Sequence, residues 1–295
     1  MRPLTGCGTA LVTPFRADDS IDDDALRALV DWQIAQGVHF VVPCGSTGEA
    51  ATMTLEEHKR VVAITVEQVA GRVPVVAGAG SNDTQKAVAL SREMRALGAT
   101  HLLHVSPMYN KPQQRGIVAH FRAVAAATDL PIVAYNVPGR TGSNIEARTT
   151  LELATLPNVV AIKEASGNLQ QVGDILRERP EGFAVLSGDD YFTVPIMSLG
   201  GDGVISVVSN AVPAEMATLV DCCLAGDFVQ ARTLHRRLSP FMSAAFIESN
   251  PAPVKAALSL MGRVQNVVRL PLVALSDSLV PTVRAALVAA GALPA

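Results

Sequence analysis

Eight short runs rich in β-branched residues recur along this chain, and a helical pattern fills every gap between them. The runs are GTALVTPF (8–15), VHFVVPCG (38–45), VPVVAGAG (73–80), HLLHVSP (101–107), PIVAYNVP (131–138), VVAIKEAS (159–166), FAVLSGDD (183–190) and GVISVVSN (203–210). The gaps hold amphipathic stretches such as DDDALRALVDWQIAQ (22–36) and TQKAVALSREMRALG (84–98). Strands that alternate with helices in this way pair in parallel, through right-handed crossovers. Most of the runs are apolar along their whole length rather than alternating, as strands covered on both faces must be. Eight such units close into a (β/α)8 TIM barrel of about 200–250 residues. The rival architecture, an open doubly wound sheet, carries a glycine-rich fingerprint after its first strand. LVTPFRADDS (11–20) has none.

Beyond the eighth run the pattern is helical throughout: AEMATLVDCCLAGD (214–227), FVQARTLHRRLSPFMSAAF (228–246), APVKAALSLMG (252–262) and SDSLVPTVRAALVAAG (276–291). The chain therefore divides into a catalytic barrel over 1–225 and a C-terminal helical extension over 226–295. No linker rich in Gly or Ser separates them, so the extension is expected to pack on the barrel.

Composition removes several functions. The chain has 24 Lys+Arg against 27 Asp+Glu, and no basic block longer than a pair, which argues against a nucleic-acid surface. Pro, Gly or charged residues interrupt every long apolar stretch, so no membrane span is expected. MRPLTGCGTALVTPF (1–15) lacks a cationic segment followed by a long apolar one, and no secretion signal is read. Cys7, Cys44, Cys222 and Cys223 show no CxxC spacing. A reduced, cytoplasmic compartment fits that usage.

Barrel enzymes carry their reacting groups where strands end, in the loops that follow. Those ends hold Thr13, the loop Gly45-Ser46-Thr47-Gly48-Glu49, Tyr109 with Asn110, Tyr135 with Asn136 and Arg140, Lys163 with Glu164, Ser187-Gly188-Asp189, and Ile205 with Ser206. Lys163 is the most informative, because it interrupts an otherwise apolar strand past its midpoint. A lysine buried there bears a large desolvation cost unless it is paired or neutral. Burial depresses the ammonium pKa, and a depression of ~3 units raises the neutral fraction roughly a thousandfold. A neutral amine attacks a ketone to form a Schiff base, which draws electrons from the neighbouring carbon and lets it lose a proton. The alternative is an ion pair at the barrel rim, with Glu164 or another carboxylate. Tyr135 ends the adjacent strand, within reach of that amine, and can move the protons that Schiff-base chemistry requires. Otherwise it is a packing residue.

In the GSTGE loop, glycines allow a tight turn in which backbone N–H groups and two hydroxyls face one anion. A carboxylate suits it better than a phosphate, since the loop lacks a lysine; the bland alternative is a plain turn. It leads into Thr54-Leu55-Glu56-Glu57, a capping-box pattern. Arg140 offers a planar fork to a second carboxylate, or is a solvated loop residue. His101 and His104 are three apart on a strand, so they face opposite ways and cannot chelate one metal. Asp189-Asp190 reads as a loop cap rather than an acid pair. No metal and no organic cofactor is implied.

The motifs GSTGE (45–49), SPMYNKP (106–112), YNVPGRTG (135–142), IKEASGN (162–168), LSGDD (186–190) and GVISV (203–207) occur in that order. With NPAPVKAAL (250–258) in the tail, the chain resembles the dihydrodipicolinate synthase/N-acetylneuraminate lyase family of class I pyruvate-dependent aldolases along nearly its whole length. The resemblance implies that Lys163 forms the Schiff base with pyruvate and that Tyr135 is the general acid/base. It further implies that Ser46 links Tyr135 to Tyr109 in a proton relay, and that Tyr109 reaches across a tight dimer interface. Thr47 would hold the pyruvate carboxylate, Arg140 the carboxylate of an aldehyde partner, and Gly188 and Ile205 would line the pyruvate pocket. A homotetramer built as a dimer of dimers is implied. PGRTG points to condensation of pyruvate with L-aspartate 4-semialdehyde, the entry to diaminopimelate and lysine. Ser46 replaces the threonine usual in that branch and is also seen among the lyases. His58 and Asn82 match the family's inhibitor site, where Lys86 and Met108 replace a usual glutamate and tyrosine. Lys86 would repel the lysine ammonium, so feedback inhibition is expected to be weak or absent. Two rival readings are a related lyase acting on a sugar acid or another 2-oxo acid, and a barrel that binds small molecules without catalysis.

Overall fold

The computed structural model describes residues 4–294. Eight strands form one parallel sheet: β1 Gly6–Ala10, β2 Phe40–Val42, β3 Val76–Gly78, β4 His101–Val105, β5 Ile132–Asn136, β6 Val159–Glu164, β7 Ala184–Ser187 and β8 Gly203–Ser206. The sheet order is β2-β1-β8-β7-β6-β5-β4-β3. The two ends meet through a parallel bridge between Val41 and Val75, and Gly78 N–H donates to the Pro43 carbonyl at 2.9 Å. The sheet is thus closed into a barrel, as the strand pattern predicts. Each observed strand lies within or overlaps its predicted run; the ends of those runs are the loops that build the site.

The helices between the strands are α1 Asp23–Ala35, α2 Leu55–Val69, α3 Thr84–Ala96, α4 Gln114–Ala126, the short α5 Pro138–Thr141 and α6 Ala147–Leu153, α7 Leu169–Glu178, and α8 Thr193–Ser198. Their starts are written in side chains. Asp22, Asp83 and Asn168 each accept a backbone N–H of the first turn, which satisfies donors that a helix leaves open. The capping box at α2 is present in full, with Glu57 N–H donating to Thr54 Oγ1 and Thr54 N–H donating to Glu57 Oε2. Four further helices follow the eighth strand: α9 Pro213–Leu224, α10 Phe228–Ala244, α11 Ala252–Leu260 and α12 Val280–Ala290.

Alternation of side chains sorts the strands into two cores. The inner one fills the barrel with Phe40, Val76, Leu103, Val133, Ala161, Ala184, Leu186 and Ile205 among others. Gly8 makes room for Phe40: a Cβ there would stand 1.9 Å from the Phe40 ring, so only glycine lets that ring plug the barrel. The outer core lies between strands and helices and continues without a break into α9–α12, through Leu219, Leu238, Phe241, Leu258 and Leu287. On β6 the phase places Ala161 and Lys163 inward, and Ile162 and Glu164 outward. Lys163 is therefore carried one layer above the apolar plug, at the C-terminal mouth of the barrel.

Candidate active site

Parallel register sets Tyr135 of β5 beside Lys163 of β6. The Lys163 Nζ stands 4.2 Å from the centre of the Tyr135 ring. Lys163 is only 5% exposed, and among the described residues its ammonium has neither an ion-pair nor a hydrogen-bond partner. Burial brings its pKa down to about 8, against an upward pull from the negative charge of Asp190 and a further downward push from Arg140. Burial likewise pushes the Tyr135 phenol up to about 12.

The rim ion pair weighed for Lys163 does not form. Glu164 turns away to the outer side, where its carboxylate accepts from Asn136 Nδ2, Gln171 Nε2 and the Ser166 N–H at 2.7–3.2 Å. Asp190, fully buried, caps the loop after β8. It accepts from Ser206 Oγ at 2.5 Å and from the Val207 and Val208 N–H groups, in keeping with its expected capping role. Burial first of all, opposed by those hydrogen bonds, raises its pKa to about 6.

Above the amine lies a cavity of about 120 Å3 lined by Ser46, Thr47, Tyr135, Arg140, Lys163, Gly188, Asp189, Phe246 and Asn250, among others. Six of the eight residues singled out from the sequence thus share one cavity. Gly188 is there for closeness: a Cβ on it would lie 3.1 Å from Lys163 Cε and 2.7 Å from the Ala165 methyl. In the GSTGE loop, Gly48 N–H donates to the Gly45 carbonyl and Glu49 N–H to the Ser46 carbonyl, each at 3.1 Å. The loop is wound tightly, and the Ser46 and Thr47 N–H groups donate to no acceptor among the described residues. Two open donors thus stand beside two hydroxyls, an arrangement of the kind that an anion seat requires.

Two candidates stand apart. Ile205 is fully buried in the inner core and does not reach the cavity wall, where Val207 stands instead. Tyr109 is 87% exposed, with φ 69°, and lines no part of its own chain's cavity. A larger, open cavity of about 870 Å3 shares Gly45, Ser46, Tyr135 and Arg140 with the first and extends past His58, Lys86 and Met108. His58 is held there by a 2.8 Å hydrogen bond between Nε2 and the Gly78 carbonyl.

One site residue escapes strand-end reasoning altogether. Asn250 arrives from the C-terminal helices, donates from Nδ2 to Thr47 Oγ1 at 2.9 Å, and accepts from Arg140 Nη2 on its carbonyl at 3.5 Å. Its motif NPAPVKAAL was visible, but nothing local in it points to a partner 203 residues away.

Residues 3–290 match the model of the dihydrodipicolinate synthetase family. The chain belongs to that family. A 4-hydroxy-tetrahydrodipicolinate synthase of Koribacter versatilis (strain Ellin345) is 53% identical over 271 residues, covering 92% of this chain and 90% of that protein. The crystal structure of dihydrodipicolinate synthase from Thermotoga maritima superposes with a TM-score of 0.97 at 42% identity, covering 99% of this chain and 100% of that one. The chloride-inhibited dihydrodipicolinate synthase of Acinetobacter baumannii, complexed with pyruvate, superposes with a TM-score of 0.96 at 40% identity, covering 98% and 99%. Family membership accounts for the barrel and the helical tail together.

Proposed function

We propose that this chain catalyses the condensation of pyruvate with L-aspartate 4-semialdehyde to 4-hydroxy-tetrahydrodipicolinate, the step that opens diaminopimelate and lysine biosynthesis. The observation that carries this reading is Lys163: buried, unpaired, with its pKa lowered to about 8, and facing a small cavity beside a tyrosine. An ammonium held there without a partner is poorly stabilised, so the neutral, nucleophilic amine is unusually accessible.

The neutral Lys163 amine adds to C2 of pyruvate and, with loss of water, forms an imine. Tyr135 supplies and removes the protons of addition and dehydration. The Ser46 and Thr47 N–H groups, with the Thr47 hydroxyl, receive the pyruvate carboxylate. The imine draws electrons from C3, which loses a proton to give an enamine. That carbon attacks the aldehyde, whose own carboxylate pairs with Arg140 at the rim. The amine of the aldehyde substrate then attacks C2, closes the ring and releases Lys163 as a free amine. Gly188 keeps the wall beside the imine clear, and Ile205 supports the floor from below. No metal or organic cofactor enters this sequence.

Tyr109 acts, in this proposal, on the site of a second copy, where it joins Ser46 in a relay to Tyr135. Its exposed ring supports a homo-oligomer, with a dimer of dimers as the expected form. Residues 1–225 act as the catalytic barrel and 226–295 as the helical extension that braces it. Among the described residues no helix is long and apolar enough to cross a membrane, and we place the enzyme in the cytoplasm. Lysine should inhibit weakly or not at all, because the Lys86 cation lines the cavity that reaches His58.

The deciding experiment has two arms. Borohydride reduction in the presence of pyruvate should attach a stable adduct that peptide mapping locates on Lys163. A coupled assay with pyruvate and L-aspartate 4-semialdehyde, with and without lysine, should show turnover that lysine barely affects. Trapping without semialdehyde turnover, beside rapid cleavage of a sugar acid, would move the chain to the lyase reading. Binding of pyruvate without any trapping would leave only a binding barrel.

A further inference from the structure

Just behind the anion seat lies a second buried lysine that the proposed mechanism does not use. Lys255 of α11 and Glu49 of the GSTGE loop are both fully buried, and their Nζ and Oε1 lie 2.5 Å apart. Lys255 also donates to the Val267 carbonyl at 2.8 Å and stands 4.2 Å from the centre of the Phe15 ring. The other Glu49 oxygen accepts from the Arg269 N–H at 2.9 Å. The Arg269 guanidinium holds Glu57 through two hydrogen bonds of 2.9 and 2.6 Å and also donates to the Asp19 and Thr52 carbonyls. Two cations thus face two anions.

Such a pair is a poor device for stability alone. Taking two ions out of water costs so much that an apolar pair of equal volume often serves as well or better. What an ion pair does supply is a fixed mutual position for the segments that carry it. Here one segment is the loop that receives the carboxylate. Glu49 is two residues past Thr47, and it carries φ 58°, a conformation that a non-glycine residue holds only under constraint from its surroundings. The other segment is the start of α11, which already grips the same loop through Asn250 and the Thr47 hydroxyl. The loop is therefore held at two points, Thr47 and Glu49, by one short stretch of the C-terminal helices.

We infer that the Lys255–Glu49 pair is a positioning device for the pyruvate-binding loop, setting the direction of the Ser46 and Thr47 N–H groups without touching substrate. This rests on the reading of that loop as the carboxylate seat. The pair acts on the binding of the keto acid and not on the chemistry at Lys163, whose geometry comes from β5 and β6.

The test compares the wild-type enzyme with Lys255→Met and with the double variant Lys255→Met/Glu49→Gln. The single variant strands a buried carboxylate and should lose stability. The double variant is neutral and similar in shape, and should recover most of that stability. Its half-saturating pyruvate concentration for borohydride trapping should nevertheless stay raised about tenfold, with kcat at saturating pyruvate within about threefold of wild type. Recovery of both stability and the wild-type pyruvate concentration would show a purely structural pair and overturn the inference. Should the double variant not fold, Glu49→Gln alone at pH 7 serves, since it removes the ion pair while the amide oxygen can still accept from the Arg269 backbone N–H. A raised half-saturating concentration there supports the inference, and a wild-type value overturns it. Wild-type enzyme in which Lys163 is never trapped would instead remove the Schiff-base reading, and the inference with it.

Discussion

Replacing Lys163 with methionine should abolish activity and, at neutral pH, make the protein more stable. The folded state holds this amine where burial lowers its pKa from 10.5 to about 8. At about 1.4 kcal/mol for each tenfold change in proton affinity, the charged form is disfavoured on folding by about 3 kcal/mol. Methionine fills a similar volume and carries no charge. It forfeits the contact between the ammonium and the Tyr135 ring, which offsets up to ~2 kcal/mol. A net gain of about 1–3 kcal/mol at pH 7 remains.

The sign depends on pH in a way that separates this account from others. Below about pH 8, folded and unfolded wild-type chains both keep the proton, so the whole penalty is present. Between about pH 8 and 10.5 the folded chain releases the proton while the unfolded chain retains it, and wild-type stability rises relative to the variant. Urea midpoints of both proteins at pH 7 and pH 10 provide the measurement, since all other titrating groups cancel in the difference. The advantage of Lys163→Met should shrink by about 2 kcal/mol or more across that interval. A variant less stable than wild type at pH 7, with a gap that does not move with pH, would refute the reasoning. It would mean that the lysine is charged and gains from a partner.

Three further expectations concern rate. With pyruvate limiting, the rate of trapping at Lys163 should rise about fivefold from pH 7 to pH 8 and less than about twofold from pH 8 to pH 9, following the neutral fraction of an amine with a pKa of about 8. A profile still climbing steeply at pH 10 would contradict it. Tyr135→Phe keeps the ring beside the amine and removes the proton carrier, so kcat should fall by roughly 10²–10⁴ while slow trapping persists. Unchanged kcat would remove Tyr135 from the chemistry. Gly188→Ala places a methyl about 3.1 Å from Lys163 Cε, so trapping should slow by about tenfold or more with the fold intact by circular dichroism; trapping at the wild-type rate would show that the wall has slack.

Most of the barrel was legible because its strands are buried on both faces, and that constraint writes itself into contiguous residues. Lys163 stood out for the same reason, as the one cation in an apolar run. Helix starts were legible where a side chain announces them, as Thr54 and Glu57 do. The pattern at 276–291 predicts one helix, yet Asp277–Leu279 is a 3-10 turn and α12 begins at Val280, with Pro281 in its first turn, where the missing N–H does no harm. Tyr109 and Ile205 came from the same strand-end logic as Lys163, but that logic says only which end of the barrel a residue occupies. It does not say whether the side chain points into the cavity, beneath it or out to solvent. Asn250 and Lys255 were illegible as site-related residues because their partners, Thr47 and Glu49, lie some 200 residues earlier in the chain.

The two buried lysines show why perturbed proton affinity alone does not locate an active site. Burial brings both Lys163 and Lys255 down to about 8. What differs is what surrounds each nitrogen. Lys255 is enclosed by a carboxylate, a carbonyl and an aromatic ring, so no electrophile can approach it, and its low pKa records burial first, outweighing the pull of Glu49. Lys163 also stands beside an aromatic ring, that of Tyr135, but has neither a carboxylate nor a carbonyl partner among the described residues, and it opens onto a space of about 120 Å3, large enough for a small keto acid. Reactivity needs a lone pair and a vacancy in the same place. In this barrel the strand register provides the lone pair at Lys163, and the absence of a side chain on Gly188 helps provide the vacancy. Borohydride with pyruvate should therefore mark one of the two lysines and leave the other untouched, although their proton affinities are nearly the same.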